Sequence, residues 1–281
     1  MFYILNIKNA DSKPTMIKVS VRASSWGRLF DCAHAWEAQH LLGMHRPAGL
    51  PALLGNAIHA GSAAFDQARL DNAPIKPADA VTVMVDELRH PSQEYDLRDA
   101  DMTLDRAAQA GSLVLSRYCR EISPHYEFIA VERRLEPYPI DCGNGVTIIL
   151  TGSMDRARTH KGKTGKGICD LKSGKRSVEN GVAVTKKHKA QLGVYEVLEE
   201  VATGERCTLP AEIIALPTGS DSTPAVGEIH GARAALIGTA TEPGLITFAA
   251  EMFRSGLFPP NPQSSLCSPK FCARWETCRF R

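Results

Sequence analysis

The sequence predicts an α/β protein in which a mixed β-sheet carries helices on its faces, and three observations support that expectation. The chain before Pro124 is mostly helical in period, the chain just after it turns to β-branched, short-period runs, and a helical run then separates the third strand from a fourth. At 281 residues and 43% hydrophobic, the chain can bury one sizeable core or two modest ones, so a single elaborated domain and a pair are equal readings.

In "SSWGRLFDCAHAWEAQHLLG", Ser24 or Ser25 can cap a helix whose apolar residues Trp26, Leu29, Phe30, Ala33, Trp36 and Leu41 recur near the 3.6 period, with Gly43 as a stop. A second helix is expected from about Ala52 to Leu70, with Leu54, Ile58 and Phe65 on one face, before "DNAPIKPAD" breaks the chain. Further helices are expected over about 78–88 and 99–121. The runs "YEFIAVERRLEPYPI" and "GVTIILTGSMDRAR" read as strands joined into a hairpin at "DCGNG", and "GICDLKSG" reads as a third strand after a Gly/Lys-rich loop. "KHKAQLGVYEVLEEVATG" returns to helix, closed by Gly204, and "AEIIALPTG" reads as a last strand. The resulting division is 1–23, an N-terminal extension or strand; 24–122, helical; 123–217, a strand-rich core; and 218–281, a C-terminal helical segment with a cysteine-rich tail. No internal repeat or long disordered tract is evident.

A formal net charge of +2 gives no whole-molecule argument for a polyanionic partner. Between Arg156 and Lys189, however, eleven Lys/Arg face only two acidic residues, a local basic stripe suited to backbone phosphates. The N-terminus has no basic leader before its short apolar run and no small-residue cleavage pattern, and Met16 can serve as a second start. With no apolar run near the roughly 20 residues of a membrane span, a soluble cytoplasmic protein without membrane partners is expected.

Eight cysteines in such a chain are thiols or metal ligands before they are disulfides. Cys119, Cys142, Cys169 and Cys207 are scattered singly and read as inert buried thiols. Cys32 lies near the front, and Cys267, Cys272 and Cys278 crowd the tail, with gaps of four and five residues rather than the two-residue knuckle of common zinc sites.

Asp155 closes the second strand in "TGSMDRA", while Asp170 and Lys172 in "CDLKSG" are two apart and share one strand face. An Asp or Lys near a turn is, taken alone, an ordinary solvated residue. If the third strand pairs beside the second, two carboxylates and an ammonium converge, a set that can hold Mg²⁺ or Mn²⁺ for phosphodiester hydrolysis, with the lysine orienting water or phosphate. Gln191 and Tyr195 lie four apart on the following helix and share a face.

"GSMDRA", then "ICDLKSGK", then "AQLGVYEVL" resembles the ordered G-x-x-D-R, D-x-K and Q-x-x-x-Y elements of the PD-(D/E)XK nuclease superfamily, in particular its branch containing RecB, AddB and Cas4. The resemblance extends upstream to "GNAIHAG", matching a G-x-x-x-H element, and runs from about Ser24 to Cys278. It implies a restriction-endonuclease-like core over 123–217, with His59, Asp155, Asp170 and the backbone carbonyl of Leu171 as metal ligands and Lys172 as the catalytic lysine. It further implies a role for Glu132, in the strand before "GSMDRA", and a Gln191/Tyr195 face that contacts the DNA backbone or steadies the lysine. It also implies a 4Fe–4S cluster held by Cys32, Cys267, Cys272 and Cys278, which staples the ends of the domain, zinc being the alternative occupant. Here Ala33 stands where proline is common, and the first tail gap is four residues where two is usual.

The expected activity is a stand-alone DNA exonuclease acting on single-stranded DNA or free ends by two-metal or metal-activated-water phosphodiester hydrolysis, in recombination, repair or CRISPR and phage DNA processing, with recombination or CRISPR proteins as partners. A structure-specific endonuclease and a DNA-end-binding adaptor are the alternatives. No Walker-type phosphate loop accompanies it.

Overall fold

A computed structural model describes residues 16–98, 102–160, 163–219 and 223–281. Its organising element is the long hairpin of β2 (Glu127–Asp141) and β3 (Val146–His160), antiparallel along their whole length. The turn passes through three consecutive left-handed residues, Gly143, Asn144 and Gly145, a conformation that only glycine and asparagine tolerate readily.

The other edge of β3 is shared between two strands. β1 (Ile17–Arg22) runs parallel to Val146–Thr151, and β4 (Lys163–Ser173) runs antiparallel from Arg156 onward. Beyond β4 the sheet continues with β7 (Ala211–Leu216), parallel, and β8 (Ala225–Ile229), antiparallel; β5 (Val178–Glu179) and β6 (Val182–Ala183) form a small separate hairpin. The sheet is mixed, and it splits on one side of β3 between the end of β1 and the start of the β4 ladder.

Helices cover both faces. α1 (Trp26–Asp31), α2 (Ala33–His40), α6 (Lys189–Thr203), α7 (Ala232–Ile237) and α8 (Leu245–Ser255) bury Trp26, Trp36, Leu192 and Phe253 with Ile148, Met154 and Ile213 of the sheet. α3 (Leu50–Leu70), α4 (Pro77–Arg89) and α5 (Leu104–Arg117) bury Leu54, Ile58, Met84 and Leu115 with Phe128, Leu171 and Ile214 on the opposite face. Every residue of β7 is buried, which accounts for the apolar run over 213–216: a strand covered on both faces has no solvent side to alternate with, and its one charged residue, Glu212, is paired with Arg158.

The structure corrects the sequence reading in four places. The single helix expected over 24–43 is broken at Cys32, which is extended (φ −147°, ψ 94°). Its N–H still closes α1 on Arg28 at 3.0 Å, while its carbonyl accepts from Trp36 at 3.0 Å to open α2, so one residue serves both helix ends. The helix expected over 99–121 starts at Leu104, where the Thr103 hydroxyl accepts from the Arg106 N–H, and ends in a wider turn over Tyr118–Ile122; residues 99–101 lie outside the described residues. The Gly/Lys-rich loop is largely strand, because β4 begins at Lys163. The segment after 217 holds β8, whose half-exposed alternation around Gly227 carries little apolar signal. The first fifteen residues also lie outside the described part, whereas 17–22 form β1. Among the described residues no helix is long and apolar enough to cross a membrane.

Candidate active site

The split in the sheet is where the acids gather, and the strands change face there. On β3, Met154 and Ala157 both belong to the core on the α6 side, while Arg156 between them reaches Asp66 on α3. On β2, Arg133 reaches Glu199 of α6 and Ala130 belongs to the same core, while Val131 packs on the α3 side. The alternation of both strands therefore inverts together at Glu132 and Asp155. Glu132 absorbs the inversion with a left-handed backbone, φ 46°, a conformation that costs a non-glycine residue about 1–3 kcal/mol and is found where a side chain must be aimed.

The inversion gathers the donors. One ligating atom each from His59, Glu132 and Asp155 lies within 4.8 Å of the others, and His59 Nδ1 is 3.5 Å from Asp155 Oδ2. His59 comes from α3, which approaches the end of β4 so closely that a Cβ on Gly55 would stand 3.0 Å from Ser173 Oγ. Asp155 Oδ2 accepts the Leu171 N–H at 2.7 Å, bringing the Leu171 backbone beside that carboxylate.

Asp170 and Lys172 project together on the α6 side of β4, with the Lys172 ammonium against Asp170 Oδ2. Gln191 donates to Asp170 Oδ1 at 3.0 Å and to the Tyr195 hydroxyl at 3.1 Å. Gln191 and Tyr195 are both buried, and this face holds an acid from behind. Tyr195 packs across β3, where a Cβ on Gly152 would stand 2.8 Å from its ring. The glycine of the G-x-x-D-R element is thus explained by close packing.

The acids crowd one another. Burial and then the Asp155 charge push Glu132 up to about 7, against the pull of Arg156. Burial also pushes Asp170 up to about 6, with Lys172 pulling down and Asp155 pushing up. Burial works to strip Lys172 of its proton, but the Asp170 and Asp155 carboxylates outweigh it and raise its pKa. Glu132 and Asp170, each repelled by Asp155, form with it and the His59 imidazole an oxygen-rich donor set that a divalent cation suits.

A buried network behind the acids was not legible in the sequence. The Arg156 guanidinium donates to Asp66 Oδ2 at 2.7 Å, Glu132 Oε1 at 3.0 Å, the Asp155 carbonyl at 2.7 Å and Ser62 Oγ at 3.2 Å. Asp66 also accepts from the Tyr118 hydroxyl and, at 2.6 Å, from the Ser123 hydroxyl. Asp66 lies two turns beyond His59 on α3, so one helix supplies a donor to the site and the counter-charge that positions Glu132. The only sequence signal was the arginine after Asp155.

The basic stripe needs dividing. Arg156 and Arg158 are fully buried and paired with Asp66 and Glu212, and Lys166 is buried against Glu199. These three stabilise the fold and are shielded from any nucleic acid. Lys175, Arg176, Lys186, Lys187 and Lys189, between Lys172 and Gln191, are exposed. Lys161 and the side chain of Lys163 lie outside the described residues.

Cys32 and the tail cysteines meet as a group. Cys32, Cys267, Cys272 and Cys278 line one pocket with Arg28 and Arg274, and the Asn261 N–H points at Cys32 Sγ, 3.4 Å away. Burial and then the Cys272, Cys278 and Cys32 thiols push Cys267 up. Among the described residues no three cysteine sulfurs lie within 4.8 Å of one another. A zinc ion with Zn–S bonds of about 2.3 Å holds its sulfurs closer than that. The tail is tied to the front by Ser264 Oγ to Asp31 Oδ2 at 2.5 Å, Arg274 Nη1 to Glu37 at 2.9 Å and Arg46 Nε to the Cys272 carbonyl at 3.1 Å. Cys119 and Cys169 are buried, whereas Cys142 and Cys207 are partly exposed.

A mixed sheet between two helical layers, with carboxylates and a lysine at its split, defines a restriction-endonuclease-like α/β protein. The chain belongs to the PD-(D/E)XK nuclease superfamily, whose family profile matches residues 22–279. A crystal structure of a candidate exonuclease from Eubacterium rectale has the same fold at 11% sequence identity, with a TM-score of 0.50 over 90% of this chain and 87% of that one. No curated protein matches the chain.

Proposed function

We propose that this nuclease is a Mg²⁺- or Mn²⁺-dependent deoxyribonuclease that works as an exonuclease on single-stranded DNA or free DNA ends. The observation that carries the reading is the convergence of His59, Glu132 and Asp155 within 4.8 Å, beside the Asp170–Lys172 pair. His59, Glu132, Asp155, Asp170 and the Leu171 carbonyl are the groups that would hold the cation. When bound, it supplies a Lewis acid to the scissile phosphate and lowers the pKa of water.

The chain's own groups do the rest. Lys172, kept protonated by Asp170 and Asp155, places a fixed cation beside the acids for a phosphate oxygen or the attacking water. Gln191 orients Asp170, and Arg156 orients Glu132. The exposed lysines flanking these groups give sequence-independent grip on the backbone. The four cysteines would hold a 4Fe–4S cluster that clasps the tail to α1 and α2; their wide spacing suits a bulky group better than zinc. The description of the Eubacterium rectale protein as a candidate exonuclease agrees with the reading.

The test is protein purified without oxygen and given Mn²⁺ or Mg²⁺ with end-labelled linear and circular single-stranded DNA. Degradation of the linear substrate alone is the expected result. Nicking of circles makes it an endonuclease, binding without cleavage an adaptor, and cleavage that survives Asp170→Ala and Lys172→Ala removes the site assignment.

A further inference from the structure

Lys186 and Lys187 come close to a surface that the active site does not explain. Lys187 lies next to His188, whose ring burial and then the charges of Lys172 and Lys187 hold down at about 4, so this stretch adjoins the active-site lysine. On its other side, a Cβ on Gly27 would stand 3.4 Å from the Lys187 carbonyl, which puts the exposed face of α1 against the basic segment. One helical turn beyond Gly27 on that face is Phe30, 40% exposed. Its ring stacks on the fully buried Trp26 at 6.2 Å and 15°, so it is braced from beneath and open above. Phe30 forms one wall of a groove with Phe248, Leu245, Met252 and Pro259. Asp31, next to Phe30 in the chain, accepts a hydrogen bond from the Ser264 hydroxyl.

Exposed lysines whose backbone passes beside Gly27, one helical turn from a braced, exposed aromatic ring, match a single strand in chemistry, phosphates to the lysines and an unpaired base to the ring. Inside a duplex the base faces are stacked on one another, so all but its terminal pairs are closed to Phe30. The lysines set this face apart from an ordinary apolar protein contact.

We propose that Phe30 on α1 is a stacking platform for an unpaired base of a DNA strand that Lys186 and Lys187 lead away from the metal site, and that it confers preference for single strands. The inference rests on the nuclease reading and deepens it.

The test measures binding of the full chain to fluorescent oligothymidylate and to a blunt duplex of equal length, without divalent metal so that nothing is cut. Phe30→Ala is expected to weaken single-strand binding on the order of tenfold and leave duplex binding unchanged, while Phe30→Trp retains it. Lys187→Ala is expected to weaken both and flatten their salt dependence. Unchanged single-strand affinity in Phe30→Ala, or an equal loss on duplex, overturns the platform alone. A Phe30→Ala change in oligomeric state with unchanged DNA affinity assigns the face to a second copy and also overturns it. Failure of the unaltered protein to bind either DNA overturns the platform and the nuclease reading together.

Discussion

The metal corner and the cysteine pocket both join distant parts of the chain, but they are built differently. Each carboxylate of the corner stands on a regular element and is held from behind: Asp170 by Gln191, Asp155 by the Leu171 N–H, Glu132 by Arg156. The pocket is made from Cys32 at a helix break and a tail whose only regular element is the short turn of helix Trp275–Thr277. Its ties to the rest of the molecule are hydrogen bonds at partly exposed positions. The corner can therefore lose a functional group and keep its shape, whereas the pocket depends on whatever its thiols share.

Reciprocal substitutions break that comparison most sharply. Lys172→Ala is expected to lower cleavage about a thousandfold while the protein still folds, the buried Asp170 relieving its lost counter-charge by taking up a proton. Cys272→Ala is expected to do the reverse, with iron lost, the melting temperature lowered and turnover per folded molecule kept. Loss of activity without loss of stability in Cys272→Ala, followed by calorimetry and iron analysis, would erase the distinction.

Next in size is Asp66→Ala. It leaves the fully buried Arg156 without its closest counter-charge, and stability is expected to fall by about 3–5 kcal/mol in urea unfolding. The corner's rigidity thus depends on a residue that touches no ligand position. Gly152→Ala is expected to cost about 1–3 kcal/mol by pushing the Tyr195 ring off β3, measured the same way.

The smallest effect is a pH dependence. Glu132 and Asp170 have folded pKa values of about 7 and about 6, above their ordinary 4.5 and 3.8. Between those limits the metal-free folded state holds more protons than the unfolded one, so its stability falls as pH rises through the window. A divalent cation needs the ionised carboxylates, so the rise in melting temperature produced by Mn²⁺ is expected to grow over the same window. A metal-induced shift that is flat with pH would mean that these two acids do not hold the ion.

The parts of the candidate site that are legible in the sequence are those local in the chain. Asp155, Asp170 and Lys172 fall in short motifs, and strand alternation alone puts Asp170 and Lys172 on one face. It could not show the joint inversion at Glu132 and Asp155, because that inversion breaks the very alternation used to read strands, and a left-handed glutamate leaves no compositional mark. Asp66 was invisible for another reason: it pairs with a residue ninety positions away, and an aspartate on a helix ordinarily looks solvated. Gln191 and Tyr195 were expected either to contact the DNA backbone or to steady the lysine; both are buried, and Gln191 holds Asp170, the partner of that lysine. The basic stripe was over-read for the same cause, since charge counts do not distinguish Arg156 and Arg158, sealed in ion pairs, from Lys186 and Lys187 at the surface. Of the fold, the hairpin and α6 were legible from turn and cap residues, while β8 and the break at Cys32 were set by tertiary contacts.

The central claim is that one divalent ion sits at the split of the sheet. The most direct measurement is anomalous diffraction from crystals of this protein soaked in Mn²⁺. The account expects a peak bounded by His59, Glu132, Asp155 and Asp170 that disappears in Asp155→Ala; no peak there, in crystals of protein that cleaves DNA with Mn²⁺, would contradict it.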